Sequence, residues 1–522
     1  MQIYCILRIF FAIFVIEEWH YLRVLLRNTT NKLISTTMRR FLSICATATL
    51  LMVGCCGPKG GPELLTSSTD AVVKTTYGDL VGYVEDGIYT FKGIPYAKAE
   101  RFMAPTDPDS WEGVRSSRSY GPQAPQGVRS GWSSDKQAFF FQWDDGYQSE
   151  DCQVLNVWTK GINDGKKRPV MVWLHGGGFS AGASSELPFY DGANLAKKDV
   201  VLVSINHRLN VLGYLDLSAF GEKYKYSGVG GVMDMVKALE WVNKNIAQFG
   251  GDPENVTIFG QSGGGGKVNI LLATPSAKGL FHKAAVQSGS IMNIAEKSAA
   301  QQLGVATAKV LGLDEKNIDE IQNVPYTELL AAVNTAQREI MTAGGSRLGM
   351  MGGAQPVVDG EVIPYPLDDP RVAEISAHVP AIIGHNYSEA SSRNGVTAEA
   401  DVRYQQGGAP EYIYIFAKNS PNLDGALASM HCMEIPFVFD NIYIGRYMTG
   451  TEKEAYKVAD QMSDMWVNFA KSGNPSIKGL KWEEYNPETK PTMVIDVKSE
   501  MVYEGGEYLE GMKNAEPFRW NL

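Results

Sequence analysis

Gly260-Gln261-Ser262-Gly263-Gly264 matches G-x-S-x-G, the pattern in which a serine hydroxyl is held out on a sharp strand-to-helix turn. A serine so placed attacks a carbonyl carbon once a neighbouring base takes its proton. Bulk at Gly260 or Gly264 would collide with the adjoining strand or helix, so glycine is what this turn demands. Upstream, directly after the apolar run Val170–Leu174, comes His175-Gly176-Gly177-Gly178-Phe179, a glycine run of the HGGG type. Bare amides there can reach an oxygen that becomes negative, and each such donor is worth about 3 kcal/mol to a transition state. A phosphate-cradling loop would carry Lys-Ser/Thr after its glycines; none follows here, and the elbow supplies a further N–H at Gly263.

The base and its acid must follow Ser262 at the ends of later strands, in the chain order serine, acid, histidine. Of His282, His378, His385 and His431, the last follows the strand-like Tyr412–Phe416 through a loop containing Gly, Pro and Asn. An imidazole there can take the serine proton and pass it to the leaving group. Val379–Ile383 reads as a short strand with Glu389 in the polar loop beyond it, where a carboxylate would set the imidazole tautomer. Asp401 and Asp424 are its rivals. The competing use of His431 is as a metal ligand with Cys432 and Glu434, but no second ligand cluster accompanies it.

These groups need a scaffold that brings distant loops to one edge. Val170–Leu174, Val200–Ile205 and Val256–Phe259 are short, nearly continuous apolar runs, as strands buried on both faces are. Val232, Val236, Leu239, Val242, Ile246 and Phe249 recur at helical spacing, and Gly250-Gly251-Asp252-Pro253 ends the pattern. Strand, helix, strand predicts a mostly parallel central sheet with helices on both faces, and such sheets bind ligands beyond the carboxyl ends of their strands. Val72–Val84 alternates around Gly78 and Gly82, which predicts an antiparallel hairpin region at the start of one domain over 71–522.

The 522 residues carry 48 Lys+Arg against 58 Asp+Glu, a net charge of −10, which offers no electrostatic footprint for nucleic acid. With 44% apolar residues the composition is that of a globular protein, and four of the six cysteines fall within the first 56 residues, so this is no disulfide scaffold. Met38-Arg39-Arg40, the apolar Phe41–Val53 and Gly54-Cys55 read as a signal of lipoprotein type over 38–54, with 1–37 a mis-assigned start. Cys55 is the residue expected to carry lipid, and a plain cleaved signal is the alternative. Residues 55–70 follow as a flexible tether. The expected location is outside the cell membrane: lipid-anchored in a bacterial envelope, or periplasmic or extracellular. Without residues 1–54 the charge becomes −14.

Several separated segments together resemble the type-B carboxylesterase family, which includes cholinesterases and bacterial esterases, over nearly everything after Ala71. They are Phe91–Ala97, Ser149–Cys152 with Leu155–Val157, Asn245–Gly264, Gly384–Glu389 and His431–Phe437. The resemblance implies the α/β-hydrolase fold, a catalytic Ser262-His431-Glu389 triad, and oxyanion N–H groups from Gly177, Gly178 and Gly263. It implies hydrolysis of small-molecule carboxylic esters through an acyl-enzyme, with no cofactor and no metal. The alternatives are an amidase or peptide-bond hydrolase with the same triad, and a non-catalytic cholinesterase-like binding module. Gln261 stands where the family usually has Glu, which weakens attraction for cationic choline esters. Trp143 lies near the family's choline-stacking tryptophan but at a different spacing from Cys152, and is read as core. The family's disulfide partner for Cys152 falls at Ala124, which predicts a free thiol. Only 41 residues separate Glu389 from His431, fewer than in typical members, which predicts a more open cleft for bulky esters.

Overall fold

The computed structural model describes residues 63–127, 135–344, 354–389 and 392–513. The signal region expected over 1–54, Cys55 and the first part of the tether lie outside the described residues. Among the described residues, twelve strands form the main sheet. In chain order they are β1 (Leu64–Leu65), β2 (Tyr83–Glu85), β3 (Ile88–Pro95), β4 (Val154–Thr159), β5 (Arg168–Leu174), β6 (Val201–Ile205), β7 (Gly251–Gln261), β8 (Lys283–Gln287), β9 (Ala381–Asn386), β10 (Glu411–Phe416), β11 (Thr492–Ile495) and β12 (Glu500–Val502). Their spatial order is β1-β2-β3-β4-β6-β5-β7-β8-β9-β10-β11-β12. From β6 to β11 every neighbouring pair is parallel, while β1 to β4 and β12 join antiparallel at the two edges. The mostly parallel sheet with helices on both faces anticipated from the strand and helix runs is present, in the α/β-hydrolase arrangement that the family resemblance implies.

The apolar runs are strands because both of their faces are covered. Along β5, Val170, Val172 and Leu174 enter one core while Met171 and Trp173 enter the other. Helix Gly230–Asn245 and the helix after Ser262 pack in the first layer through Val232, Leu239, Val268 and Leu271. Helix Lys453–Ser472 packs in the second through Met462, Trp466 and Phe469. The helix read from Val232 onward runs as predicted and tightens into a 3-10 turn at Ile246–Phe249, and Gly250 caps it in the left-handed region at φ 72°. Gly251-Asp252-Pro253, read as part of that stop, already belongs to β7.

The amino-terminal hairpin forms, but its strands part between two sheets. Val72–Lys74 and Asp79–Val81 pair antiparallel in a three-stranded sheet with Val114–Ser116. Tyr83–Glu85 crosses into the main sheet, where Leu64–Leu65, placed in the tether by composition, pairs with it as β1. A buried ion pair ties the sheet to its helical layer. Arg208, just past β6, donates Nη2 and Nε to the two oxygens of Asp234 at 2.7 and 2.9 Å, with 3% and 0% of the side chains exposed. Removing one partner strands the other charge in the core, so Asp234→Ala should cost about 3–5 kcal/mol in denaturant-unfolding stability. A loss below about 1 kcal/mol would contradict this account.

Candidate active site

The turn after β7 is as tight as its glycines require. Ser262 lies at φ 58°, ψ −123°, between β7 and the helix Gly263–Leu272, a conformation that few residues with a side chain adopt. Its N–H donates to the Gln287 carbonyl at 2.8 Å, and its own carbonyl accepts from Gly266 at 3.1 Å, so both sides of the strained residue are tied. A Cβ at Gly260 would fall 2.6 Å from the Leu174 carbonyl oxygen and from the Gly264 backbone. At Gly264 it would overlap Leu174, and at Gly263 it would overlap the backbone of Gly178. The glycine loop therefore lies directly on the first turn of the helix. Gly177 and Gly178 both adopt positive φ, 83° and 63°. They, Ser262, Glu389 and His431 are partly exposed in a region where β5, the end of β7 from Val256 onward and the start of the helix are otherwise buried.

His431 and Glu389 meet. The carboxylate Oε1 is bonded to the imidazole Nδ1, with 11% of the Glu389 side chain and 23% of the His431 side chain exposed. Glu389 Oε2 accepts from the Ser288 hydroxyl at 2.6 Å and from the Asn386 N–H at 2.9 Å. Burial pushes this carboxyl up, yet the His431 ring and these donors outweigh it and hold Glu389 below its ordinary value. For His431 burial lowers, while Glu389 and then Glu434 raise, and the net result lies above an ordinary imidazole. On its other side the ring faces Gln261, the residue before Ser262, whose Nε2 is 3.3 Å from both ring nitrogens.

The rival residues lie elsewhere. His282 accepts from the Val256 N–H at the amino end of the sheet, where His378 also precedes its strand. His385 lies within β9, buried, its Nδ1 2.8 Å from the Asn386 carbonyl. Asp401 accepts from the Tyr485 hydroxyl, and Asp424 is exposed. The sequence did not single out Ser288, and it named Glu434 only as a candidate metal ligand beside His431. Glu434 is fully buried below the histidine, accepting from Asn386 Nδ2 at 2.6 Å and Gln287 Nε2 at 3.5 Å. Burial and the neighbouring Glu389 push it up to about 7, against the Asn386 hydrogen bond and His431.

Known proteins agree with this architecture. The family model described as the carboxylesterase family matches residues 69–401 and 392–513. The chain is 33% identical to the para-nitrobenzyl esterase of Bacillus subtilis, covering 82% of this chain and 95% of that protein. This chain belongs to the carboxylesterase family. Within it, the chain is also 31% identical to the phenmedipham hydrolase of Pseudarthrobacter oxydans, over 82% of this chain and 95% of that protein. Among solved structures, an esterase of Clostridium hathewayi that can hydrolyse aliphatic aromatic polyesters superposes with a TM-score of 0.78 at 32% identity, covering 87% of this chain and 99% of that one.

The protein is thus a carboxylesterase, a carboxylic ester hydrolase of α/β-hydrolase fold. Two departures noted in the sequence have physical counterparts. Cys152 is a free thiol, buried in one small cluster with Ala124 and Leu209. Trp143 packs edge-on to Phe141 at 6.2 Å against the second core. In this carboxylesterase the Glu389 charge stabilises the imidazolium. A ring titration by NMR should therefore find His431 above an ordinary imidazole, and Glu389→Gln should lower its midpoint. An unchanged midpoint would contradict the pairing.

Proposed function

We propose that this carboxylesterase works through a Ser262-His431-Glu389 triad, with the N–H groups of Gly177, Gly178 and Gly263 as its oxyanion hole. His431 takes the proton of Ser262, the serine oxygen adds to the ester carbonyl, and the alcohol leaves with that proton. Water activated by the same imidazole then attacks the acyl-enzyme, and the acid departs. Glu389 keeps the ring in the required tautomer and steadies the imidazolium. The observation that carries this reading is the Glu389–His431 pair at the carboxyl end of the strands, packed against the residue next to Ser262. The loop that lies on the helix start supports the oxyanion role, since the Gly178 backbone meets Gly263 at the helix amino terminus, where the helix dipole is positive.

The neutral Gln261 supports uncharged esters over choline esters. The short span between Glu389 and His431, spent on helix Ser392–Gln406, β10 and a 3-10 turn, supports an open cleft for bulky substrates. The relatives named for nitrobenzyl esters and aromatic polyesters point to aromatic ones. Fluorophosphonate should label the wild type and not Ser262→Ala, which should lose about a thousandfold or more in kcat on an aryl ester panel. A labelled, active Ala variant, or preference for the matched anilides, would sink the proposal.

Export with a lipid on Cys55 is part of the same proposal, supported by the Met38–Cys56 pattern. Palmitate should label the full-length protein expressed in a bacterium and not Cys55→Ser. Label retained in the Ser variant would place the lipid elsewhere.

A further inference from the structure

Lys267 is the fifth residue of the nucleophile helix and is completely buried. Glycines occupy the four helical positions before it. Gly263 and Gly264 lie one turn back on the same helix face, where they let the loop 174–178 come down onto the helix. Lys267 reaches that same loop. Its Nζ donates to the His175 carbonyl at 2.8 Å and to the Gly176 carbonyl at 3.5 Å. Gly176 O is also 2.9 Å from the His175 ring Nδ1, and the His207 ring stacks on His175 at 5.1 Å. Burial pushes Lys267 down to about 7, and buried Glu186, held by the Ala183 N–H at 2.7 Å, acts in the opposite direction, so the lysine's hold on the loop rests on hydrogen bonding rather than on a full charge. An interior lysine carries a desolvation cost that apolar packing would avoid, so its two carbonyl partners are the feature that needs a reason.

Peptide planarity supplies that reason. The C=O of Gly176 and the N–H of Gly177 belong to one rigid trans unit and point in opposite directions. A donor that holds the carbonyl from the buried side turns the N–H away from it, toward the partly exposed side where Ser262 lies. We propose that Lys267 is a positioning residue for the oxyanion hole: its Nζ hydrogen bonds hold the His175 and Gly176 carbonyls and thereby aim the Gly177 N–H at the substrate oxygen. This rests on the reading of Ser262 as nucleophile and of the loop amides as oxyanion donors. The far end of the loop is anchored separately, by Gln126, which accepts from the Gly182 N–H at 2.8 Å and donates to its carbonyl at 3.1 Å. The lysine therefore acts on the donor end of the loop alone.

The test compares wild type, Lys267→Met, Lys267→Gln and Ser262→Ala, with active enzyme counted by fluorophosphonate titration. An aryl trifluoromethyl ketone, which adds the serine oxygen to give a tetrahedral oxyanion, reports on the hole directly. Lys267→Met should lower kcat about tenfold or more and weaken the ketone in step, with KM for the ester changed less than about twofold. Lys267→Gln keeps an N–H donor and should fall between Met and wild type. Should the Met variant fail to fold, Gln against wild type decides on the same two readouts. If kcat and ketone affinity stay within about twofold of wild type, the proposal is overturned. The same holds if KM rises while ketone affinity is kept. If Ser262→Ala remains labelled and active, the underlying reading of the nucleophile fails instead.

Discussion

The site depends on one steric constraint: the loop after β5 and the helix after β7 touch backbone to backbone. Gly260, Gly263 and Gly264 are the positions where this contact is made, and each would have to move if it carried a methyl group. Because the contact involves main chain alone, it leaves little freedom in the distance between the loop amides and the serine. In the proposed mechanism these amides are the oxyanion donors, oriented before any substrate arrives, which is the condition under which hydrogen bonds lower a barrier rather than merely bind. Ser262 contributes a strained φ of 58°, sustained by hydrogen bonds on both its N–H and its carbonyl.

Around this rigid centre, charge is distributed unequally. Glu389 and Glu434 both act on His431, but their environments push them apart. Glu389 collects the imidazole, the Ser288 hydroxyl and the Asn386 N–H, and so remains an anion. Glu434 is buried with amide donors and is pushed up to about 7, partly by Glu389 itself. Below neutrality Glu434 is thereby largely protonated, and Glu389 is the larger of the two charges that act on the histidine.

Most of the scaffold was legible because strands covered on both faces must be apolar throughout. Val170–Leu174, Val200–Ile205 and Val256–Phe259 all became central parallel strands, with boundaries displaced by a few residues. The edges were harder to read. Leu64–Leu65 is too short to show a pattern, and the split of the hairpin depends on which sheet offers free hydrogen bonds to Tyr83–Glu85. Ser288 carried no signal either, since a serine after a strand gains its meaning only from β8 lying beside β7 and β9.

The serine elbow and the glycine loop were determined locally, because steric exclusion of a side chain acts on residues adjacent in the chain and leaves a glycine where it acts. Glu389 and His431 could be ranked by their place after strands but not chosen by chemistry, since several histidines and acids met the same local description. Only the lateral order of β7, β8, β9 and β10 decided the choice, by bringing loops from distant parts of the chain to one edge. Hydrogen bonding between side chains so far apart along the chain leaves no periodic trace in a single sequence.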